Sequence, residues 1–386
     1  MKKSLTRKYD FGELKKESMD IESIPKGIRG RMKYVGIDLK RGSGSYVQID
    51  HSSIYQTVSE YLKSLGVVVM STIEAYEKFA WARDYFWKAL RVDQDPYINL
   101  TRNYWRHGYF IYVPPKVKVI QPIQACFFVT LKGIAQPVHN IVIVDEDAEL
   151  NLVTGCATMS NEGLHIGVSE FYVKKRAKLT FTMIHGWAPK FEVKPRTSVI
   201  VEDGGTYVSY YVNLYPVHDL DMYPTTYLYK SAKGYMTSVL LGRKNSFMDV
   251  GSKIEFLGEG SRGEIVSRSI IRDQAKIIMR GHLVGKAEKT RGHLECRSLL
   301  LSQQASVITI PQLESHVEGS ELTHEAAIGR ISEEQLYYLM AKGFTEEEAV
   351  SLIVRGFIEV GLTRLPPQVR IPLKSALRII ERLARG

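Results

Sequence analysis

Six stretches of the chain repeat one pattern at an almost fixed interval, and that repeat limits the fold more than any other feature. They read IVIVDEDAELNLV, EFYVKKRAKLTFT, SVIVEDGGTYVSYYV, TYLYKSAKGYMTSVL, KIEFLGEGSRGEIVS and HLVGKAEKTRGHLEC. In each, an apolar run enters a short polar turn and a second run leaves it. The last apolar residues before the turns are Val144, Val173, Val201, Tyr229, Leu257 and Val284, spaced by 29, 28, 28, 28 and 27 residues. A strand–turn–strand unit of this kind exposes an apolar face that a stacked neighbour can bury, which is the logic of a parallel β-solenoid. An antiparallel meander or jelly roll would also yield such units, and periodicity alone does not separate them.

The flanks have a different texture. IYQTVSEYLKSL and STIEAYEKFAWARDYFWKAL carry apolar residues at three- and four-residue spacing and predict helices. KRGSGSYVQID precedes them and reads as a flexible connector, because its glycines do not lead into a helix as a dinucleotide fingerprint would. From Gly108, GYFIYVPPKVKVIQPIQACFFVTL is rich in β-branched and aromatic residues punctuated by proline, the composition of strand and turn. After the repeats, Ser332 with Gln335 forms a capping-box pattern closed by Gly343, and Thr345 with Glu348 repeats it with Gly356 as the stop. Pro372 is placed to open a third helix. The expected division is a helical region with a flexible loop over residues 1–107, a β core over 108–320 and a helical domain over 321–386.

A chain of 386 residues buries enough surface to build its core without staples. Its 52 Lys and Arg exceed 42 Asp and Glu, and the C-terminal segment concentrates Arg364, Arg370, Lys374, Arg378, Arg382 and Arg385 against Glu381 alone. Such a bias suits nucleic acid, an anionic membrane or an acidic partner. No zinc-finger spacing or RNA-binding signature accompanies it, so a solvated basic face is expected and nucleic acid is not an expected ligand. No apolar run approaches the length of a membrane span, and MKKSLTRKYDFGELKKES has no apolar core of a signal peptide. The expectation is a cytoplasmic protein with no membrane association. Cys126, Cys156 and Cys296 are an odd set without a C-x-x-C pair, which predicts reduced thiols. The chain has neither the G-x-x-x-x-G-K-[ST] phosphate loop nor the G-x-S-x-G elbow, so neither a P-loop ATPase nor a serine hydrolase is indicated.

Two places carry candidate chemistry. In RGHLECRSLL, strand alternation sets His293, Glu295 and Arg297 on one face and Leu294, Cys296, Ser298 and Leu300 on the other. Cys296 therefore points inward with leucines, where a free cysteine is ordinarily a small packed hydrophobe. In SELTHEAAIGRIS, His324 and Glu325 form either a satisfied polar junction or an imidazole and carboxylate for a metal. It is not the H-E-x-x-H zinc motif, since Ile328 stands where the second histidine would be.

HLECRSLLL, THEAAIGRISEEQLYYLMAKGFTEEEAVSLIVRGFIE and YFIYVPPKVKVIQPIQ together resemble the SufB/SufD family, scaffold subunits of the Suf iron–sulfur cluster assembly machine, from about residue 70 onward. The resemblance implies a right-handed parallel β-helix flanked by helical segments, dimerisation through the β-helix as a homodimer or a SufB/SufD heterodimer, and a SufC-type ABC ATPase docked on the C-terminal helices. Apolar positions there, Leu336, Leu339, Leu352 and Ile353, are the docking candidates. Cys296 matches the cysteine implicated in nascent cluster assembly in SufB-type members, His324 the histidine implicated in SufD-type members, and Glu325 the glutamate that follows it in SufB-type members. These groups meet across the subunit interface in the family. A site of one thiolate with imidazole and carboxylate is thiolate-poor, hence suited to a transient cluster that must be released to acceptor apo-proteins.

Departures from the pattern count as well. Where some SufB-type members carry a sulfur-accepting cysteine after YPS, YPTT places Thr226 here, so the sulfur donor's entry point is open. The N-terminal cysteine cluster of some members is absent. The pairing of Cys296 with His324-Glu325 favours a SufB-like scaffold over a SufD-like structural subunit that needs a SufB paralogue. Reduced flavin takes part in some relatives, so the resemblance allows a reduced flavin here as a cofactor. The expected role is an assembly scaffold, not an enzyme, with ATP hydrolysis in the separate partner. From another class, a β-helix enzyme could process acidic polysaccharides through the paired carboxylates of DEDAE, although that repeated turn is more simply solvated.

Overall fold

The computed structural model describes residues 7–12, 15–16, 20–90, 92–104, 108–359 and 364–385. Successive strands alternate between two 11-stranded sheets, and each strand from the middle of the chain onward pairs in parallel with the one a full coil later. In the first sheet Lys118–Val129, Glu149–Thr158, Lys178–Gly186, Thr206–Asn213, Lys233–Gly242, Arg262–Ile271, Arg291–Leu300 and Glu321–Arg330 follow one another in spatial order. The second sheet stacks Tyr109–Val113, Ala135–Val144 and Glu162–Val173, continues through four short strands, and ends with Phe247–Phe256, Lys276–Gly285 and Ser306–Ser315. This is the mainly β solenoid with terminal helical segments that the repeat predicted, and parallel pairing excludes the antiparallel alternative.

The turns show why the repeat is so regular. Lys116, Asp147, Arg176, Gly204, Ser231, Gly260, Lys289 and Gly319 all have positive φ, one per coil at the same edge. A left-handed residue with a side chain costs about 1–2 kcal/mol. The stacked turns offset that cost by hydrogen-bonding to one another: the Asp147 N–H donates to the Lys175 carbonyl at 3.1 Å, Arg176 to Asp203 at 2.9 Å and Ser231 to Glu259 at 2.9 Å.

Val144, Val173 and Val201 are true register equivalents. Further on, the partner of Val201 is Leu228, then Phe256, then Gly285, so the sequence positions Tyr229, Leu257 and Val284 each lie one residue off the ladder. Tyr229 lies just past its strand with its ring exposed, so the last apolar residue of the run is not the last residue that pairs.

From Lys118–Val129 to Arg262–Ile271 the strands of the first sheet are largely buried on both faces. One face lines the interior. The other packs under helix α1 (Lys26–Tyr34) and the C-terminal helices, with Ile28, Met32, Cys126, Val153, Ile184, Val239, Ile270, Val354, Leu373 and Ile380 in one cluster. The N-terminal region departs from expectation. Gly44–Ile49 is a buried strand and Ser52–Val58 pairs with it, where a flexible connector and a helix were predicted; only α2 (Glu60–Ser64) keeps the helical part of that stretch. The three- and four-residue spacing there is also satisfied by β-branched residues on a strand. STIEAYEKFAWARDYFWKAL does hold a helix, α3 (Thr72–Lys78), and a 3-10 turn, and α4 follows at Pro96–Asn103.

At the other end, Glu321–Arg330 is a solenoid strand, so the helical segment starts at α5 (Glu333–Ala341), later than the expected boundary. Ser332 occupies the N-cap of α5 without a side-chain cap bond, whereas Thr345 and Glu348 form a complete capping box on α6 (Glu346–Ile358). Gly343 ends α5 at φ 95°, but α6 continues past Gly356. Helix α7 (Pro367–Arg385) opens at Pro367, which leaves Pro372 inside it. No helix among the described residues is long and apolar enough to cross a membrane.

One buried carboxylate fastens the N-terminal region to the second sheet. Glu170 is inaccessible to solvent and accepts hydrogen bonds from the backbone N–H groups of Trp87 (2.6 Å) and Ala89 (2.7 Å) and from the Tyr172 hydroxyl (3.1 Å). His139 Nε2 lies 2.8 Å from it, and Trp87, at φ 60°, stacks on the His139 ring at 3.8 Å. Glu170→Ala leaves two buried N–H donors without an acceptor, so it is expected to cost about 3–5 kcal/mol in urea unfolding, with Glu170→Gln intermediate because its amide oxygen still accepts.

Candidate functional site

Cys296 lies at the middle of Arg291–Leu300, in the next-to-last coil of the first sheet. The burial pattern reproduces the alternation: Leu294, Cys296 and Ser298 are buried and belong to the inward side, while His293, Glu295 and Arg297 are half-buried on the outer side. Leu294 presses so close to the opposite sheet that a Cβ on Gly281 would lie 2.0 Å from its Cδ1, so any side chain at Gly281 would force Leu294 to move. Cys296 pairs laterally with Ser267 on one side and Ala326 on the other. Serine hydroxyls surround its level, with Ser238 bonded to Ser267 at 3.1 Å and Ser269 to Ser298 at 2.7 Å. Burial, aided by the negative charge of Glu295, pushes the Cys296 thiol up to about 11. At neutral pH it is a protonated thiol.

His324 and Glu325 sit on Glu321–Arg330, the last strand of the first sheet. His324 pairs with Leu294, and therefore shares the inward face with Leu294 and Cys296. It is nonetheless exposed, because no further coil stacks on this strand among the described residues. Strand spacing of about 4.8 Å and a two-residue offset of about 6.6 Å put the Cα atoms of His324 and Cys296 about 8 Å apart.

Glu325 points the other way. It pairs with Arg297, whose Nε lies 2.9 Å from Glu295, and Glu295 also pairs with Arg268. The Arg268 guanidinium in turn lies over the Phe357 ring of α6 at 5.4 Å. The structure thus brings Cys296 and His324 to one face and holds Glu325 in a charge network on the opposite one. Among the described residues no three His, Cys, Asp or Glu side chains converge on a metal position. One chain does not build the three-residue ligand set from these positions. The outer network of Arg268, Glu295, Arg297 and Glu325 was not singled out in the sequence. Its signal was the charged residues alternating along a strand beside an inward cysteine.

The other sequence candidates fall as follows. Cys126 packs on the outer face of the first sheet and Cys156 inside the solenoid, both free, and burial raises both thiols far above the ordinary range. Thr226 is buried on an inward position and its hydroxyl donates to Met236 Sδ at 3.5 Å, a group without thiol chemistry. Leu336, Leu339 and Ile353 are half-buried and Leu352 is exposed. Helix α5 buries none of its residues, and Tyr337, Tyr338 and Phe344 stand exposed around it.

The family sequence model for the SUF system FeS cluster assembly SufBD core domain matches residues 127–357, which span the solenoid from its early coils to α6. An iron–sulfur cluster assembly SufBD family protein of Archaeoglobus fulgidus is 44% identical over 376 residues, 96% of this chain and 99% of its own length. One of Methanothermobacter thermautotrophicus is 40% identical over 92% of this chain and 88% of the relative. The iron–sulfur cluster assembly protein SufB of Bacillus subtilis is 31% identical over 92% of this chain and 78% of its own. A solenoid of this repeat, matched over most of its length, belongs to the SufB/SufD family of iron–sulfur cluster assembly proteins.

Proposed function

We propose that this chain is a scaffold on which an iron–sulfur cluster is built at the open end of the solenoid, with Cys296 and His324 as its protein ligands. The observation that supports this reading best is the bare inward face of the last coil beside a buried thiol. Val307 and Leu322 are only half-covered there, and Leu313 and Ile328 are exposed. A second subunit seated on that end covers the apolar surface and completes the ligand set. Glu325 serves the site indirectly, by anchoring the outer face of the two strands. One thiolate with imidazole holds a cluster loosely, as release to an acceptor apo-protein requires. Ferrous iron reaching Cys296 displaces the proton that burial holds on the sulfur.

Cys296 is 1% exposed, so loading requires the end coil to open. We assign that work to a SufC-type ATPase bound at the exposed α5 and adjoining α6, because α6 touches the outer face of Arg262–Ile271 and contacts Arg268 through Phe357. Three free thiols suit the reducing cytoplasm. A SufD-like role is the second reading, favoured by the convergence of only two ligand types in one chain.

Anaerobic reconstitution with ferrous iron and sulfide tests the site. The wild type is expected to develop visible absorbance, Cys296→Ala to lose most of it, and His324→Ala to lose its cluster faster to a chelator. Equal loading of Cys296→Ala removes Cys296 as a ligand. Loading of the chain only together with a paralogue selects the second reading. Because the thiolate is the nucleophile and the thiol titrates at about 11, alkylation of Cys296 should rise about tenfold per pH unit from pH 7 to 10. Mass spectrometry of iodoacetamide-treated protein reads that slope. Leu336→Asp with Leu339→Asp should abolish ATPase co-purification at unchanged melting temperature, since α5 buries no residue; retained co-purification would move docking elsewhere.

A further inference from the structure

A cavity of about 360 Å³ lies between α1 and the loop that follows it, far along the chain from the strands of the proposed cluster site. Its floor is apolar: Met32 and Ile37 are each 1% exposed, and Leu39 and Ile21 complete it. Its walls are cationic. Lys26, Arg29 and Lys33 line it from one face of α1, at the three- and four-residue spacing of neighbours on a helix, and Lys40 faces them from the loop. None of these four forms an ion pair with a described residue, whereas the nearby Arg31 is used structurally, donating to the Thr158 carbonyl at 2.8 Å.

Among the described residues Asp38 is the only acidic one lining the cavity, and its carboxylate is engaged by the Lys40 backbone N–H at 3.3 Å and by Arg41 at 3.5 Å. The loop itself is held in place. Gln124 of the first sheet accepts from the Asp38 backbone N–H at 2.8 Å and donates to the Asp38 carbonyl at 3.0 Å. Gly30 leaves the mouth open, since a Cβ there would meet nothing within 4 Å. Four like charges around a fixed apolar floor repel one another unless an anion sits among them.

We propose that this cavity binds a small phosphate-bearing ligand with a flat apolar ring, of mononucleotide size, the phosphate on Arg29, Lys33 and Lys40 and the ring on Ile21 and Leu39, the half-buried apolar residues of the lining. A volume of this size suits such a ligand, and an arginine fork with lysines beside it is the chemistry that holds phosphate. The apolar floor distinguishes the cavity from a plain anion site, and its small concave shape distinguishes it from a surface for a nucleic-acid strand. The site is independent of the cluster reading.

Calorimetric titration of the full chain with adenosine 5′-phosphate, with inorganic phosphate and adenosine as separate arms, tests it. Adenosine 5′-phosphate is expected to bind at least tenfold tighter than either part and to weaken with added salt. Arg29→Ala with Lys33→Ala should lower affinity at least tenfold. Gly30→Trp should do the same without altering charge, while Gly30→Ala, a helix-stabilising change at an open position, should leave the fold at least as stable. Absence of binding, phosphate alone binding as tightly as the nucleotide, or undiminished affinity in both folded variants would overturn the proposal.

Discussion

Every coil of this protein depends on its neighbours. A single strand–turn–strand unit has unpaired backbone groups along both edges and an apolar face that it cannot cover, and parallel stacking supplies both deficits at once. The ladder of left-handed turn residues from Lys116 to Gly319 exists only because each turn hydrogen-bonds to the next. The same dependence makes the ends special. At the N-terminal end the chain returns on itself: Gly44–Ile49 pairs with Lys118–Val129 and Ser52–Val58 covers it in turn. At the C-terminal end, Ser306–Ser315 and Glu321–Arg330 have no successor among the described residues, and their residues are left exposed or half-covered. A surface built to be stacked upon is thus left free beside Cys296.

The repeat was legible because turn chemistry and apolar runs recur together, and the inward direction of Cys296 followed from alternation alone. The same alternation applied to THEAA separates His324 from Glu325, since consecutive strand residues face opposite sides. Reading that segment as the start of a helical domain hid the separation. The N-terminal strands were hidden for a different reason. Gly44–Ile49 is buried through its whole length against sequence-distant partners, and nothing local in KRGSGSYVQID announces a partner at Ile123–Phe128. The exact ladder beyond Val201 also depended on pairing, because an apolar residue such as Tyr229 can end a run without belonging to the strand.

Electrostatics divides the two faces of the Cys296 strand. On the outer side, Arg268, Glu295, Arg297 and Glu325 alternate in sign across three adjacent strands and bind Arg297 into a chain of pairs. Partly exposed pairs of this kind contribute little to stability one by one, and their value lies in geometry. They tie the last strand to its neighbours on the side where α6 packs. Arg364, preceding α7, adds a pair to Glu264 of the adjacent strand and lies over Tyr235 at 4.5 Å. The helical segment therefore grips the outer face of Lys233–Gly242 and Arg262–Ile271, the two strands that precede the thiol's strand in the sheet.

That arrangement gives the thiol two protections with one cause. Covered by neighbouring coils, Cys296 is out of reach of oxidants, and the same desolvation keeps it protonated and weakly nucleophilic. A reactive thiolate at neutral pH would need a nearby cation on the inward side, and the cations of this region, Arg268 and Arg297, are committed to Glu295 and Glu325 outside. In the cluster role proposed for Cys296, the charge that lowers the pKa of the thiol arrives with the metal itself. On the proposed reading, chemistry at Cys296 is conditional on iron being present and on the end coil being opened, which is the condition a scaffold needs if it is to hold no sulfur that it cannot use.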